Sequence, residues 1–194
     1  LIERLGELVV RLPSTVVPTS VDLDPDETWG SYAGDPAGTN ATLEVVEADL
    51  RALYIDADDA RGALADAVAL VARGWLDHWH ATAELALADG HDLAFPLDAA
   101  DEGVASDADE LRGRIEAGLT LVLQGQQRLL EGYSVLATAP DSDDLQPTFG
   151  RRAMDAEDFD ELLRPQIHAM MSERSTNVWV AMERFETAAP GVEP

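Results

Sequence analysis

Leu43, Leu50, Ala57, Leu64, Val71, His78 and Leu85 stand seven residues apart, and a companion column three places on reads Val46, Leu53, Ala60, Ala67, Gly74 and Ala81. Columns at that spacing lay an apolar stripe along one side of an α-helix, a periodicity that a strand does not share. The stripe commits the middle of the chain to helix–helix packing. At 1.5 Å per residue, the segment from Thr42 to Asp89 is either one helix of about 70 Å or two helices meeting near Asp56, where Asp56, Asp58 and Asp59 are able to cap a restart. Asp89-Gly90 supplies the stop.

A second long helix is predicted to open at Asp107, with Glu110 three residues later as in a capping box. Its apolar column is Ile115, Val122, Leu129 and Leu136, and three places after the first three stand Gly118, Gly125 and Gly132. Each glycine inside a helix costs about 1 kcal/mol relative to alanine, so three in register require a packing gain to offset them. Close approach of a neighbouring helix is the simplest gain, because glycine removes the side chain that holds helix axes 8 to 10 Å apart. The small column Ala60, Ala67, Gly74 and Ala81 matches it. Residues 58–89 and 107–138 are therefore predicted to pack as an antiparallel pair; the alternative is a groove that accepts a ligand or a partner helix.

The flanks are less regular. Ile2, Leu5, Leu8 and Leu12 have helical spacing, although Val9-Val10 leaves a short strand open, and Pro13 ends the element. Residues 13–40 hold four prolines and three glycines, a composition that predicts an extended arm. Trp29 and Tyr32 lie in that arm, where large aromatics suggest attachment to the bundle or to another subunit. The run DSDDLQPTFG reads as a loop, Asp155 as the cap of a last helical region through Phe159, Ile167 and Phe185, and Pro165 as a kink or as the first turn of a restarted helix. The fold expected is all-α: an elongated antiparallel bundle of three to four helices over 41–190, preceded by a helix or strand and a long Pro/Gly-rich arm over 1–40.

Charge bears on the solvent rather than the fold. The 194 residues carry 38 acidic and 13 basic side chains, a net charge of -25, and all the basic residues are arginine. A hydrophobic share of 46% excludes an intrinsically disordered acidic chain. Self-repulsion of this size subsides when the Debye length falls to about 3 Å at molar salt. The composition points to a salt-accumulating halophile; a GC-rich genome would explain arginine for lysine but not the acidic excess. Phosphate-mediated nucleic-acid binding is disfavoured, since Arg151-Arg152 is the one adjacent basic pair. No 18-residue apolar window predicts a membrane span. The chain starts at Leu1 rather than Met, which leaves room for an upstream segment, and the expected location is the cytoplasm of a salt-accumulating cell or an assembly exposed to high salt. Without cysteine there are no disulfides, thiolate metal sites or cysteine nucleophiles.

Candidate chemistry is sparse. Asp77, His80 and Glu84 fall at i, i+3 and i+7 on one helical face, a set able to hold a single divalent metal such as zinc or iron, with His91 or His168 as distant completions. No Glu-x-x-His motif of the di-iron bundles accompanies them, and a solvated face beside a tryptophan edge accounts for the same residues. His78 lies in the apolar column itself and reads as a hydrogen-bonded core or interface histidine rather than a ligand, with a side-chain pKa near neutrality that allows a pH-sensitive role. Trp75 and Trp79, one turn apart, read as core or as a protein-binding ridge. Met170, Met171 and Met182 read as core filler or an adaptable groove. No hydroxyl sits in a nucleophile turn, and DLDPDE and DSDD do not match a calcium loop. The function expected is that of a non-enzymatic helical assembly or adaptor protein acting on a protein partner or on itself, with no cofactor. The alternatives are a metal-dependent or small-molecule-binding helical enzyme at Asp77, His80 and Glu84, or a sensor or regulatory domain of a larger protein.

Overall fold

A computed structural model describes residues 1–13, 36–89, 104–140, 144–162, 164–165 and 167–168. Among these residues all regular structure is helical: α1 (Ile2–Arg11), α2 (Pro36–Ala60), α3 (Ala63–Asp89), α4 (Val104–Leu136) and α5 (Gln146–Leu162), packed against one another with no strand. Val9-Val10 is thus helical, with Val9 buried beside Leu5, Leu8 and Leu12 while Val10 faces outward. The arm residues 14–35, with Trp29 and Tyr32, lie outside the described residues, as do His91 and 169–194 with their three methionines.

The long heptad stripe belongs to two helices, but the break falls at Arg61-Gly62 rather than at Asp56. Arg61 has φ 50° and Gly62 φ +117°, left-handed backbone that ends α2 and reverses the chain within two residues. Asp56, Asp58 and Asp59 therefore lie in the last turns of α2 instead of capping α3. Phase is kept across the turn: Leu43, Leu50, Ala57, Val71 and His78 are all fully buried. α2 begins at Pro36, inside the stretch that composition marks as arm, because proline fits the first helical position, where its missing N–H has no intrahelical partner to lose.

Two other starts also come earlier than their polar residues suggest. α4 begins at Val104, so Asp107 lies within it, and α5 begins at Gln146, so Asp155 sits mid-helix and QPTFG is not loop. Packing overrides local preference at α5. Phe149 is fully buried with its ring centroid 6.0 Å from that of Tyr133, and Gln146 Nε2 donates to the Ala139 carbonyl at 2.9 Å. Pro147 is tolerated because it falls in the first turn.

The seam between α3 and α4 is set by glycine. A Cβ on Gly74 would lie 2.8 Å from the Gly125 carbonyl oxygen, and one on Gly125 would lie 2.9 Å from the Gly74 oxygen. Further along, a Cβ on Gly132 would meet Val71 Cγ2 at 2.6 Å and the Ala67 oxygen at 2.8 Å. Low numbers in α3 face high numbers in α4, so the pair is antiparallel. Each backbone occupies the volume that its partner's side chain would need, and the groove is filled from within the chain. Leu129, Leu136, Val71 and Trp75 close over the seam as part of one core.

Alanine scanning of the glycines should therefore split by sign. Gly125→Ala and Gly132→Ala are expected to lose about 1–3 kcal/mol through overpacking against backbone. Gly113→Ala, which meets nothing within 4 Å, should gain up to about 1 kcal/mol of helix propensity. Denaturant unfolding at molar salt measures all three, and equal effects at 113 and 125 would refute the close-approach account.

Candidate functional site

The residues proposed for chemistry share the middle of α3, and the structure gives each a partner. Asp77 is fully buried between two arginines: Arg73 Nε, one turn earlier, lies 3.1 Å from Oδ1, and Arg128 of α4 donates to Oδ2. His80 Nε2 lies 3.4 Å from an amino group of Arg51 in α2, and Arg51 is itself paired with Glu47. Glu84 accepts from Arg114 of α4 at 3.1 Å. The face of α3 that carries Asp77, His80 and Glu84 is thus bridged to α2 through one guanidinium and to α4 through two. A divalent cation at these three residues would have to displace those guanidinium contacts. Among the described residues no group of three or more His, Cys, Asp or Glu side chains is placed to hold a metal ion.

Burial explains why Asp77 lies between two guanidiniums. An ionised carboxylate removed from water is tolerated only when its oxygens are satisfied by opposite charge. Arg128 donates to Oδ2, and Arg73 Nε stands 3.1 Å from Oδ1 without making a hydrogen bond to it, while both arginines keep part of their own surface in solvent. At His80 the burial of the ring and the adjacent Arg51 and Arg73 guanidiniums lower its pKa, outweighing the carboxylates of Asp77 and Glu47. The imidazole is thereby held neutral near pH 7. Its ring centroid is 4.7 Å from that of Trp79, over which the Arg51 guanidinium stands at 6.0 Å.

The two tryptophans separate. Trp75 is 2% exposed and belongs to the core, its indole N–H donating to the Tyr133 hydroxyl at 2.9 Å. Burial raises the Tyr133 pKa to about 12, against smaller opposing effects of the Trp75 hydrogen bond and the Arg152 charge. Arg152 of α5 stands 5.9 Å over the Trp75 ring and donates to the Val9 and Leu12 carbonyls at 2.9 and 3.3 Å, so it caps α1 while shielding the indole. Sequence reasoning did not find this clamp. Arg152 was visible only as half of an arginine pair, and nothing local says which carbonyls it meets. Trp79 is half-buried with its N–H unpartnered among protein groups. His168 is exposed on the short helical stretch after α5.

His78 is the residue that the seam isolates. Its ring edge lies 3.2 Å from where a Gly125 Cβ would stand, it is completely buried, and neither ring nitrogen has a protein hydrogen-bond partner. Desolvation lowers its pKa from 6.5 to about 3, so the folded protein holds it neutral. The apolar-column position predicts the burial that is found, but the hydrogen bond expected of a core histidine is absent, because the ring lies against a glycine of another helix that offers it no side chain.

No protein-family model, curated protein or solved structure matches the chain. The site is read from its own geometry alone.

A pH dependence follows from His78. The unfolded chain takes up the proton near pH 6.5 and the folded one near 3. The stability that depends on neutral His78 is thus complete above about 6.5 and is lost as pH falls toward 3, at up to about 1.4 kcal/mol per pH unit. His78→Phe should flatten that part of the profile relative to wild type in thermal melts between pH 7 and 4. Parallel profiles would show that the histidine is protonated without cost.

Proposed function

We propose that the chain is a non-enzymatic helical assembly or adaptor protein that works through protein–protein contact in high salt. The observation that carries this reading is on α2. Its inward face, Leu43, Val46, Leu50, Leu53 and Ala57, is buried. A second run at the same alternating three- and four-residue spacing, Ala41, Val45, Ala48, Ala52 and Ile55, is exposed, with Val45 at 72% and Ile55 at 58%. A helix with apolar residues on two faces has one more face than its own core uses, and a contiguous apolar strip in water favours a partner. Other features agree. The α3–α4 glycine groove is filled from within the chain, the polar face of α3 is tied up by arginines, and no helix of the described residues is long and apolar enough to cross a membrane.

In this reading the described helices belong to an elongated antiparallel bundle, Trp29 and Tyr32 add further contact residues, and the acidic coat keeps the assembly hydrated in the cytoplasm of a salt-accumulating cell. The enzyme alternative at Asp77, His80 and Glu84 requires each of these side chains to leave an arginine.

Sedimentation of the protein in extract of its source cells, at the salt of those cells, tests the reading. Wild type should sediment above its 20.9 kDa chain mass. Val45→Glu/Ile55→Glu should shift toward the monomer with little change in melting temperature, because both side chains are exposed in the folded chain. A wild-type chain that sediments as a free monomer refutes the assembly role.

A further inference from the structure

We infer that the α3–α4 pair has a hinge at a band of buried polar groups around His78, beyond which the stretches 79–84 and 114–124 part and unwind as one unit while the core on the other side stays packed. The inference does not depend on the assembly reading; it rests on where the polar side chains are enclosed. The contiguous apolar core runs on α3 from Ala67 as far as Leu76 and on α4 from Leu136 back to Leu129. Next along both helices comes the band. Asp77, His78 and Thr82 of α3 and Gln126 of α4 are the buried polar side chains among the described residues. Beyond it on α4, apolar burial resumes with Leu123, Val122 and Leu119, which lie outside the contiguous core.

The band is also where hydrogen bonds are left unmade. Among the described residues, the buried side-chain atoms without a protein partner are Asp77 Oδ1, both ring nitrogens of His78 and the indole nitrogen of Trp79, on three consecutive residues. Their neighbours are committed elsewhere. Arg128 donates to the other oxygen of Asp77, the Thr82 hydroxyl donates to the His78 carbonyl at 2.8 Å, and Gly125 brings no side chain to the His78 ring. Each such atom costs the closed state its lost hydration and regains it when the helices part. A layer of this kind is where a packed pair opens most easily. The other side of the band has no such release. There Gly132 lies against Ala67 and Val71, the Trp75 N–H is satisfied by Tyr133, and Arg152 of α5 holds the Val9 and Leu12 carbonyls over the Trp75 ring.

Hydrogen exchange on the whole chain at molar salt tests the hinge, read against two substitutions on opposite sides of it. In wild type, amides over 79–84 and 114–124 should exchange at least about tenfold faster than those over 67–75 and 129–136, with a weaker dependence on urea. His78→Leu, which removes two of the unmade hydrogen bonds, should slow exchange about tenfold to a hundredfold beyond the band and leave the core unchanged. Val71→Ala should do the converse, speeding exchange in the core about tenfold through global unfolding and leaving the stretches beyond the band as they were. If either substitution moves both sides equally, the pair is one cooperative unit and the inference is overturned. It is overturned as well if His78→Leu changes only the amides within a turn of position 78. Should His78→Leu fail to fold, His78→Phe and the wild-type urea dependence decide: stretches 79–84 and 114–124 that exchange only by global unfolding refute the hinge.

Discussion

The backbone contact between Gly74 and Gly125 is the constraint on which the rest of the described structure depends. With each carbonyl oxygen within 2.9 Å of the other residue's missing Cβ, α3 and α4 cannot slide or rotate without a clash. That fixed pairing determines which side chains are stranded between the helices. His78 is enclosed against Gly125 and loses access to water, and Asp77, on the adjoining surface of α3, comes within reach of Arg128. Farther along the seam, Tyr133, next to Gly132, receives the Trp75 N–H. The polar contacts are consequences of the close approach rather than its cause. A glycine seam draws on short-range contact, which salt does not screen.

How much of this the amino-acid pattern foretold depends on the range of the cause. The all-helical fold, the antiparallel small-residue pair and the burial of His78 all follow from seven-residue spacing, which is a local signal. Helix boundaries followed it less well, because caps and breakers compete with distant packing. Phe149 drives α5 back through Pro147 and Gly150, and Arg61 in left-handed backbone ends α2 five positions after Asp56, the break that the acidic residues predict. Asp77, His80 and Glu84 fall on one helical face by spacing, and each meets an arginine of a neighbouring helix. Their partners were not legible, because Arg114 and Arg128 come from a helix whose rotation is set by the glycines and Arg51 from a third helix, distant in sequence. The exposed apolar run of α2 was present in the sequence too, but a second run is conspicuous only once the first has been assigned to the core.

The acidic excess gives these contacts different weights in different solvents. Arg4–Asp56 and Arg11–Asp49 join α1 to α2 across exposed surface, where ion pairs contribute little and molar salt reduces them further. In brine the attachment of α1 must therefore come from elsewhere. Leu5, Leu8, Val9 and Leu12 supply an apolar face, and Arg152 supplies hydrogen bonds to carbonyls that the end of a helix leaves unpaired. Arg152 is partly buried and engages oxygens of the backbone, so its contribution is screened far less than that of a surface pair. The chain thus places its salt-sensitive interactions outside and its salt-tolerant ones at the joints.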